Sequence, residues 1–237
     1  MEKLIYPLWK RDTLDADDFR DRLLGSADTL VSVAGVRGAR LAVADSAVAA
    51  GASRRMAATD PLPDAMVSVW LDAAAQQRGA VEEVLARESA RHSCYLVTES
   101  EPIANTAHPA EVGERLHGMC HVVFLQRPPR LTEAEWLVNW QQRHTPVAIA
   151  TQSTFGYRQN VIVRGLSYAA PGLDAMIEEY FPPEAMASDY AFYAVDEGDD
   201  AGLAERSTAM IESCARFIDF DRIDVIPMSE YLLKPLA

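Results

Sequence analysis

The feature that most limits what this chain can become is that it repeats itself. Leu14 and Leu131, and Phe19 and Trp136, stand at one constant offset of 117 residues, and Arg40 and Arg158 at an offset of 118. A period near half of a 237-residue chain means that one supersecondary unit is present twice. In the first copy, strands are expected at residues 4–9, 40–44, 66–71 and 93–98, with helices at 13–33 and 76–89. In the second, strands are expected at 121–126, 155–163, 190–195 and 222–227, with helices at 131–150 and 201–217. Thr132 with Glu135 three residues later is a capping box that starts the helix at 131.

Three stretches fall outside this order. Residues 45–63, with Gly51, Pro61 and Pro63, read as a loop. Residues 101–120 read as a linker, with a short helix at 109–116. Residues 164–188 read as a longer excursion with an inserted helix at 172–181. Both copies are then βαββαβ units, the ferredoxin-like split, which carries helices on one face of its sheet only. The bare faces of two such units cover each other when sheet packs on sheet. The expected fold is therefore α+β: two ferredoxin-like repeats packed as an intrachain dimeric α+β barrel. Residues 1–100 form the first repeat and residues 121–237 the second.

The formal net charge of −13 argues against nucleic acid and against an anionic membrane surface as partners. No run approaches 18 apolar residues, and the first residues lack the basic region and apolar stretch of a signal peptide. Cys94, Cys120 and Cys214 form no CxxC pair, which fits a reducing cytoplasm. Nucleotide, P-loop, zincin and serine-hydrolase motifs are missing. His117 and His121 lack a third ligand at a recognised spacing, so no metal is expected. Exposed edge strands at a barrel rim leave a homodimer open.

Residues 121–163 carry a more specific pattern. A strand is followed by a helix bearing Trp136, Trp140 and His144, and then by a strand reading Phe155-Gly156-Tyr157-Arg158-Gln159-Asn160. This stretch resembles the EthD family, small bacterial proteins named after ethyl tert-butyl ether degradation. The resemblance implies the dimeric α+β barrel fold and a small, apolar, oxygenated ligand. Some relatives look like dehydratases, and others are accessory to oxidative degradation. The wider superfamily holds cofactor-free monooxygenases, isomerases, cyclases and haem enzymes, so the fold alone does not choose a reaction. The first repeat departs from the pattern, with Ala27 where the second has His144 and Leu23 where it has Trp140. One pocket per chain, in the second repeat, is the implied count.

Trp136, Trp140, His144 and Val147 share one helix face, which places a titratable group on an apolar stripe. His144 is the candidate catalytic residue, a general acid or base whose burial favours the neutral form. The alternative is a core histidine satisfied by a backbone carbonyl. Trp136 and Trp140 are candidate pocket walls or plain core. Tyr157, Gln159 and Asn160 are candidate ligands for a substrate oxygen, although alternation sends Asn160 to the opposite face of the strand. Arg158 reads as a surface or salt-bridge residue. Pro146 either kinks the helix beside His144 or begins a new turn after the helix ends.

Two classes of function remain. One is a cofactor-independent enzyme performing elimination, isomerisation or cyclisation on a small apolar oxygenated molecule. The other is a non-catalytic ligand-binding or accessory protein. A haem with His144 as axial ligand is a lesser third alternative.

Overall fold

The computed structural model describes residues 1–236. Its order is β1 (Glu2–Trp9), α1 (Ala16–Gly25), α2 (Ala27–Ser32), β2 (Val36–Val43), a 3₁₀ segment (Ser46–Arg54), β3 (Ala65–Leu71), α3 (Ala74–Glu88), β4 (Arg91–His92) and β5 (Tyr95–Ile103). Then come β6 (Met119–Leu125), α4 (Glu133–Leu137), a π-helical segment (Val138–His144), α5 (Thr145–Thr151), β7 (Gly156–Gly165), β8 (Ala175–Phe181), α6 (Asp189–Phe192), α7 (Asp200–Cys214) and β9 (Ile223–Lys234).

The strands close a circuit, β1-β3-β2-β9-β6-β8-β7-β5 and back to β1, with the two-residue β4 as an extra strand beside β1. Every pairing is antiparallel. The result is a closed eight-stranded barrel. Strands of the first half lie in the order β5-β1-β3-β2 and those of the second in the order β7-β8-β6-β9. The pairs β2–β9 and β5–β7 join the halves. Closure removes the edges to which a second chain adds, and leaves the short β4 as the free one among the described residues. No helix among them is long and apolar enough to cross a membrane.

Alternation along each strand makes three layers. Leu4, Tyr6 and Leu8 of β1 face outward and pack with Phe19, Leu23 and Val81 of the helices. Ile5, Met66, Val122, Phe124, Met176 and Ile226 fill the space between the sheets. Trp136, Trp140 and Phe217 pack on Val123, Tyr157 and Ile177 of the second sheet.

The barrel interior also holds buried charge. Lys3 donates to Asn160 at 2.8 Å and to Glu178 at 3.2 Å. Arg40 pairs with Glu230 at 2.8 Å, and Arg158 reaches the other oxygen of that carboxylate at 3.5 Å. Arg158 is thus an interior ion-pair residue, 3% exposed, and not a surface one. Arg40 and Arg158, 118 residues apart, thus meet on one acid.

Three expected elements differ. Residues 172–181 are mostly strand β8 and not a helix, whereas 190–195 are the end of α6 and a turn and not a strand. The two glutamates of Met176-Ile177-Glu178-Glu179-Tyr180 suggest helix by propensity. Here one of them, Glu178, finds buried cations, Arg158 on the neighbouring β7 and Lys3 on the more distant β1, and tertiary pairing overrides propensity. No helix forms at 109–116. That stretch instead lies along β9, with Leu116 N–H on Glu230 O and Arg115 bridging Tyr231. Gly118, at φ 75°, turns it into β6 where a Cβ would strike Phe181 O.

Candidate functional site

The capping box forms, with Thr132 accepting from Glu135 N–H while the Glu135 carboxylate takes Thr132 N–H. The helix it starts runs to Thr151 without ending at Pro146. Its bonding widens through the π segment, so that Thr145 N–H reaches Trp140 O, five residues back. Pro146 has no N–H to give, and one wider turn accommodates it without a break. Single π turns of this kind recur at functional sites.

Between this helix, α7 and the outer face of the second sheet lies a cavity of about 290 Å³. Its walls are largely apolar, with Val123, Ile177, Phe217 and Val225 among them. Arg54 and Met56 also line it, although they belong to the first half. The 45–63 stretch is therefore more than a loop. Its 3₁₀ segment crosses to the second half, where Arg54 donates to Ala185 O, Ser188 O and Asp189, and lies 4.2 Å over the Phe192 ring.

Three polar side chains stand in a row on the cavity floor. His121 of β6 pairs in register with Glu179 of β8, and Glu179 pairs with Tyr157 of β7. Neighbouring strands set these residues ~5 Å apart. Glu179 has no hydrogen-bond or cation partner among the described residues, and burial pushes its carboxyl up to about 7. Its sequence neighbour makes the contrast. Glu178 points into the barrel, where burial would raise it but Lys3 and Arg158 outweigh that and hold it well below the usual carboxylate range. Half-titrated at neutral pH, Glu179 is poised to take or give a proton.

Tyr157 is fully buried, and burial raises its phenol. Its oxygen accepts from Trp140 Nε1–H at 3.0 Å and from Gln159 Nε2–H at 3.0 Å. Gln159 also donates to Thr145 Oγ1 at 2.7 Å. Two donors on one phenol oxygen leave its own proton to give, and make that proton a better donor. His144 lines the cavity, with Nδ1 3.1 Å from Ser213 Oγ and the ring 4.7 Å from Phe217. Burial lowers it to about 4, so it is neutral at pH 7. Burial, with Arg54 adding repulsion, lowers His121 to about 3.

Of the residues singled out in the sequence, His144 and Tyr157 line the cavity. Trp140 and Gln159 stand behind Tyr157 and hold its oxygen. Trp136 does not reach the cavity and anchors the turn after α7 through Nε1–H to Phe217 O at 3.1 Å. Asn160 lies on the other face of β7, inside the barrel, with Lys3 and Glu178. The sequence patterns do not single out Glu179, which lies in the stretch expected to be helical, and they offer His121 only as a metal ligand. As a strand, 175–181 puts Glu179 beside Ile177 on the helix-covered face by alternation.

A porphyrin does not fit a cavity of about 290 Å³ lined by Glu179 and His144. Among the described residues no three His, Cys, Asp or Glu side chains group as metal ligands.

No family model matches the chain, and no curated protein does. Among solved structures, an anthrone oxidase-like protein superposes on all of this chain and 95% of its own length, at a TM-score of 0.54 and 10% identity. A candidate monooxygenase from Lactobacillus acidophilus NCFM covers 98% of this chain and 96% of its own at a TM-score of 0.48 and 10% identity. A dye-decolorizing peroxidase from Bacteroides thetaiotaomicron VPI-5482 covers 98% and 93% at a TM-score of 0.48 and 9% identity. The first of these likenesses, with the closed antiparallel sheet, shows a barrel of the dimeric α+β type, here closed within one chain.

Proposed function

We propose that the chain is an enzyme of proton abstraction, acting without a cofactor on a small, flat, largely apolar ketone. The observation that carries this is Glu179, a carboxyl with no partner, near neutrality, in an apolar cavity. Its carboxylate takes the proton from the carbon beside the carbonyl. The C–H electron pair becomes the enolate, and the enolate oxygen accepts the Tyr157 O–H. Base and donor sit on adjacent strands in one register pair, a spacing suited to a C–H and the neighbouring C=O. His144, uncharged, handles a proton or hydrogen bond at the cavity wall, in place of acting as the first base. Elimination, isomerisation or cyclisation can follow from the enolate. An anthrone, the chemistry in the structural neighbour's name, is an aryl ketone with an acidic CH₂ and would begin with the same step.

The same proposal takes the chain as a cytoplasmic, EthD-like tandem of two ferredoxin-like units whose first unit has lost its site. The equal strand orders of the two halves support the tandem, as do Arg40 and Arg158 on a common carboxylate.

The test is deuterium exchange at the carbon between ring and carbonyl of 2-tetralone in D₂O, followed by proton NMR. The protein is expected to accelerate exchange, and Glu179→Gln to reduce it by ~10²–10⁴-fold, the usual worth of a general base. Ligand binding without any acceleration would make the chain a holder of such molecules and end the enzymatic proposal.

A further inference from the structure

Proton abstraction at Glu179 leaves open which ring nitrogen of His144 carries the proton, and the neighbours of the ring decide it. Nδ1 lies 3.1 Å from the hydroxyl of Ser213, a residue 1% exposed. Hydroxyls on other helices donate to their own backbone, as Ser89 does to Leu85 O and Thr151 to Val147 O, each at 2.8 Å. Ser213 makes no such bond among the described residues, and His144 is the partner its hydroxyl has. The second group near Nδ1 is also a donor. Cys214 Sγ lies 4.0 Å away, and burial pushes its thiol up to about 12, so it keeps its proton. A neutral imidazole has one N–H and one bare nitrogen. With the proton on Nδ1, Ser213 would have to accept, and its own buried proton would be left without an acceptor, which is costly. With Nδ1 bare, Ser213 is satisfied and the ring proton sits on Nε2. That second nitrogen belongs to the cavity. His144 lines it, and Nε2 makes no hydrogen bond among the described residues yet is not sealed from solvent as Nε2 of His121 is.

We propose that Ser213 fixes His144 as the Nε2–H tautomer, so that His144 gives the cavity a neutral hydrogen-bond donor and the ligand sets an acceptor oxygen, a carbonyl or an ether, against it. Toward the ligand His144 is then a donor and not a base, and Glu179 is left as the base of the cavity. Ser213 does not line the cavity and acts through the ring, as a positioning residue. An anionic oxygen gains no ion pair at this place, since the ring is uncharged and Arg54 is held by Ala185, Ser188 and Asp189. That the oxygen is a ketone's rests on proton abstraction at Glu179, whereas the donor itself rests on Ser213 and His144 alone.

The experiment is long-range proton–nitrogen NMR on the protein with ¹⁵N-labelled histidine, in the wild type, Ser213→Ala and His144→Phe. The last variant assigns the His144 signals among the five histidines. The wild type is expected to show a protonated Nε2 and a bare Nδ1. Ser213→Ala should move Nδ1 downfield, because a hydrogen bond to a bare ring nitrogen holds it upfield. A protonated Nδ1 in the wild type, or an Nδ1 that does not respond to Ser213→Ala, overturns the tautomer assignment. The acceptor site is read with two flat probes, 9-fluorenone, which cannot enolise, and fluorene, which lacks the oxygen. One neutral hydrogen bond predicts that fluorenone binds the wild type ~2–10-fold more tightly, with a shift of His144 Nε2 on binding. His144→Phe should abolish that preference, which is a ratio within one variant and is not mimicked by a general weakening of the cavity. Equal affinity of the wild type for both probes, binding of neither, or a preference that survives His144→Phe overturns the acceptor site. Failure of the 2-tetralone exchange with tautomer and preference intact would remove the ketone and leave the donor standing.

Discussion

The two outer faces of the barrel are built on the same register and hold opposite contents. On the second sheet, the row across three strands is His121, Glu179, Tyr157. On the first, the row in the corresponding place is Leu4, Val69, Ala39. Phe19 and Leu23 stand where the second half has Trp136 and Trp140, and they pack that row into a continuous core with Leu30, Val81 and Leu85. All of these first-half side chains are 3% exposed or less. One face is thus filled and contributes stability. The other keeps a cavity and three polar groups whose burial costs stability. Function of this kind concentrates where local rules of burial are broken, and the filled face offsets the cost.

The largest effect expected from breaking this comparison is in the filled face. Val69→Glu puts into close packing the group that its counterpart carries beside a cavity. An unpaired buried charge is expected to lower unfolding free energy at pH 7 by ~3–5 kcal/mol, measured by urea denaturation. A loss under ~1 kcal/mol would mean that the first face is as open as the second.

The next effect is the pH dependence of stability. The Glu179 carboxyl is raised from 4.5 to about 7 in the folded state. The folded protein therefore holds the proton more tightly than the unfolded chain. That contribution is complete below pH 4.5 and is lost as pH rises through about 7. The whole span is worth at most ~3 kcal/mol. His144, lowered from 6.5 to about 4, acts in the opposite sense, with its contribution present above 6.5 and lost as pH falls toward 4. The two windows overlap, so in the wild type the contributions largely offset each other between pH 4.5 and 6.5. Glu179→Gln should remove the falling contribution between pH 4.5 and about 7 and leave the His144 rise over pH 4–6.5 unopposed. An unchanged slope across that window would show that Glu179 is solvated and not poised.

Tyr157→Phe comes third, with 2-tetralone exchange expected to fall ~10²-fold, the lower end for loss of one donor at a developing oxyanion. The pH–rate profile should still rise through about 7, because Glu179 remains. A shifted profile would make Tyr157 the titrating group.

How much of this was readable beforehand follows from what each signal depends on. The capping box and the helix face carrying Trp136, Trp140 and His144 are local patterns, and they lie in the half that has the cavity. Alternation alone separates Asn160 from Tyr157 and Gln159, as the structure does. What stayed hidden depends on distant partners. Met176 to Phe181 becomes a strand because β6 and β7 pair with it and Lys3 meets Glu178 from the far end of the chain. With the strand unseen, the acid on its other face went unseen as well. The roof over the cavity came from residues 46–56, whose small side chains carry no periodic signal of a crossing between halves.

The smallest effect tests whether residues behind the cavity set its chemistry. Gln159 does not line the cavity, yet its amide donates both to Tyr157 Oη and to Thr145 Oγ1, the hydroxyl that in turn donates to Trp140 O in the π segment. Its counterpart in the filled face is Leu41, so Gln159→Leu installs what the first half already has. Removing one neutral hydrogen bond to Tyr157 should slow exchange ~2–10-fold, matching ~0.5–1.5 kcal/mol. The loss should fall on kcat with KM unchanged, because Gln159 touches Tyr157 and not the ligand. Combined with Tyr157→Phe, Gln159→Leu should add almost nothing, since there is no longer a phenol oxygen to hold. Additive losses in the double variant would instead make Gln159 an ordinary packing residue, and the difference between the two faces would then end at the row His121, Glu179, Tyr157.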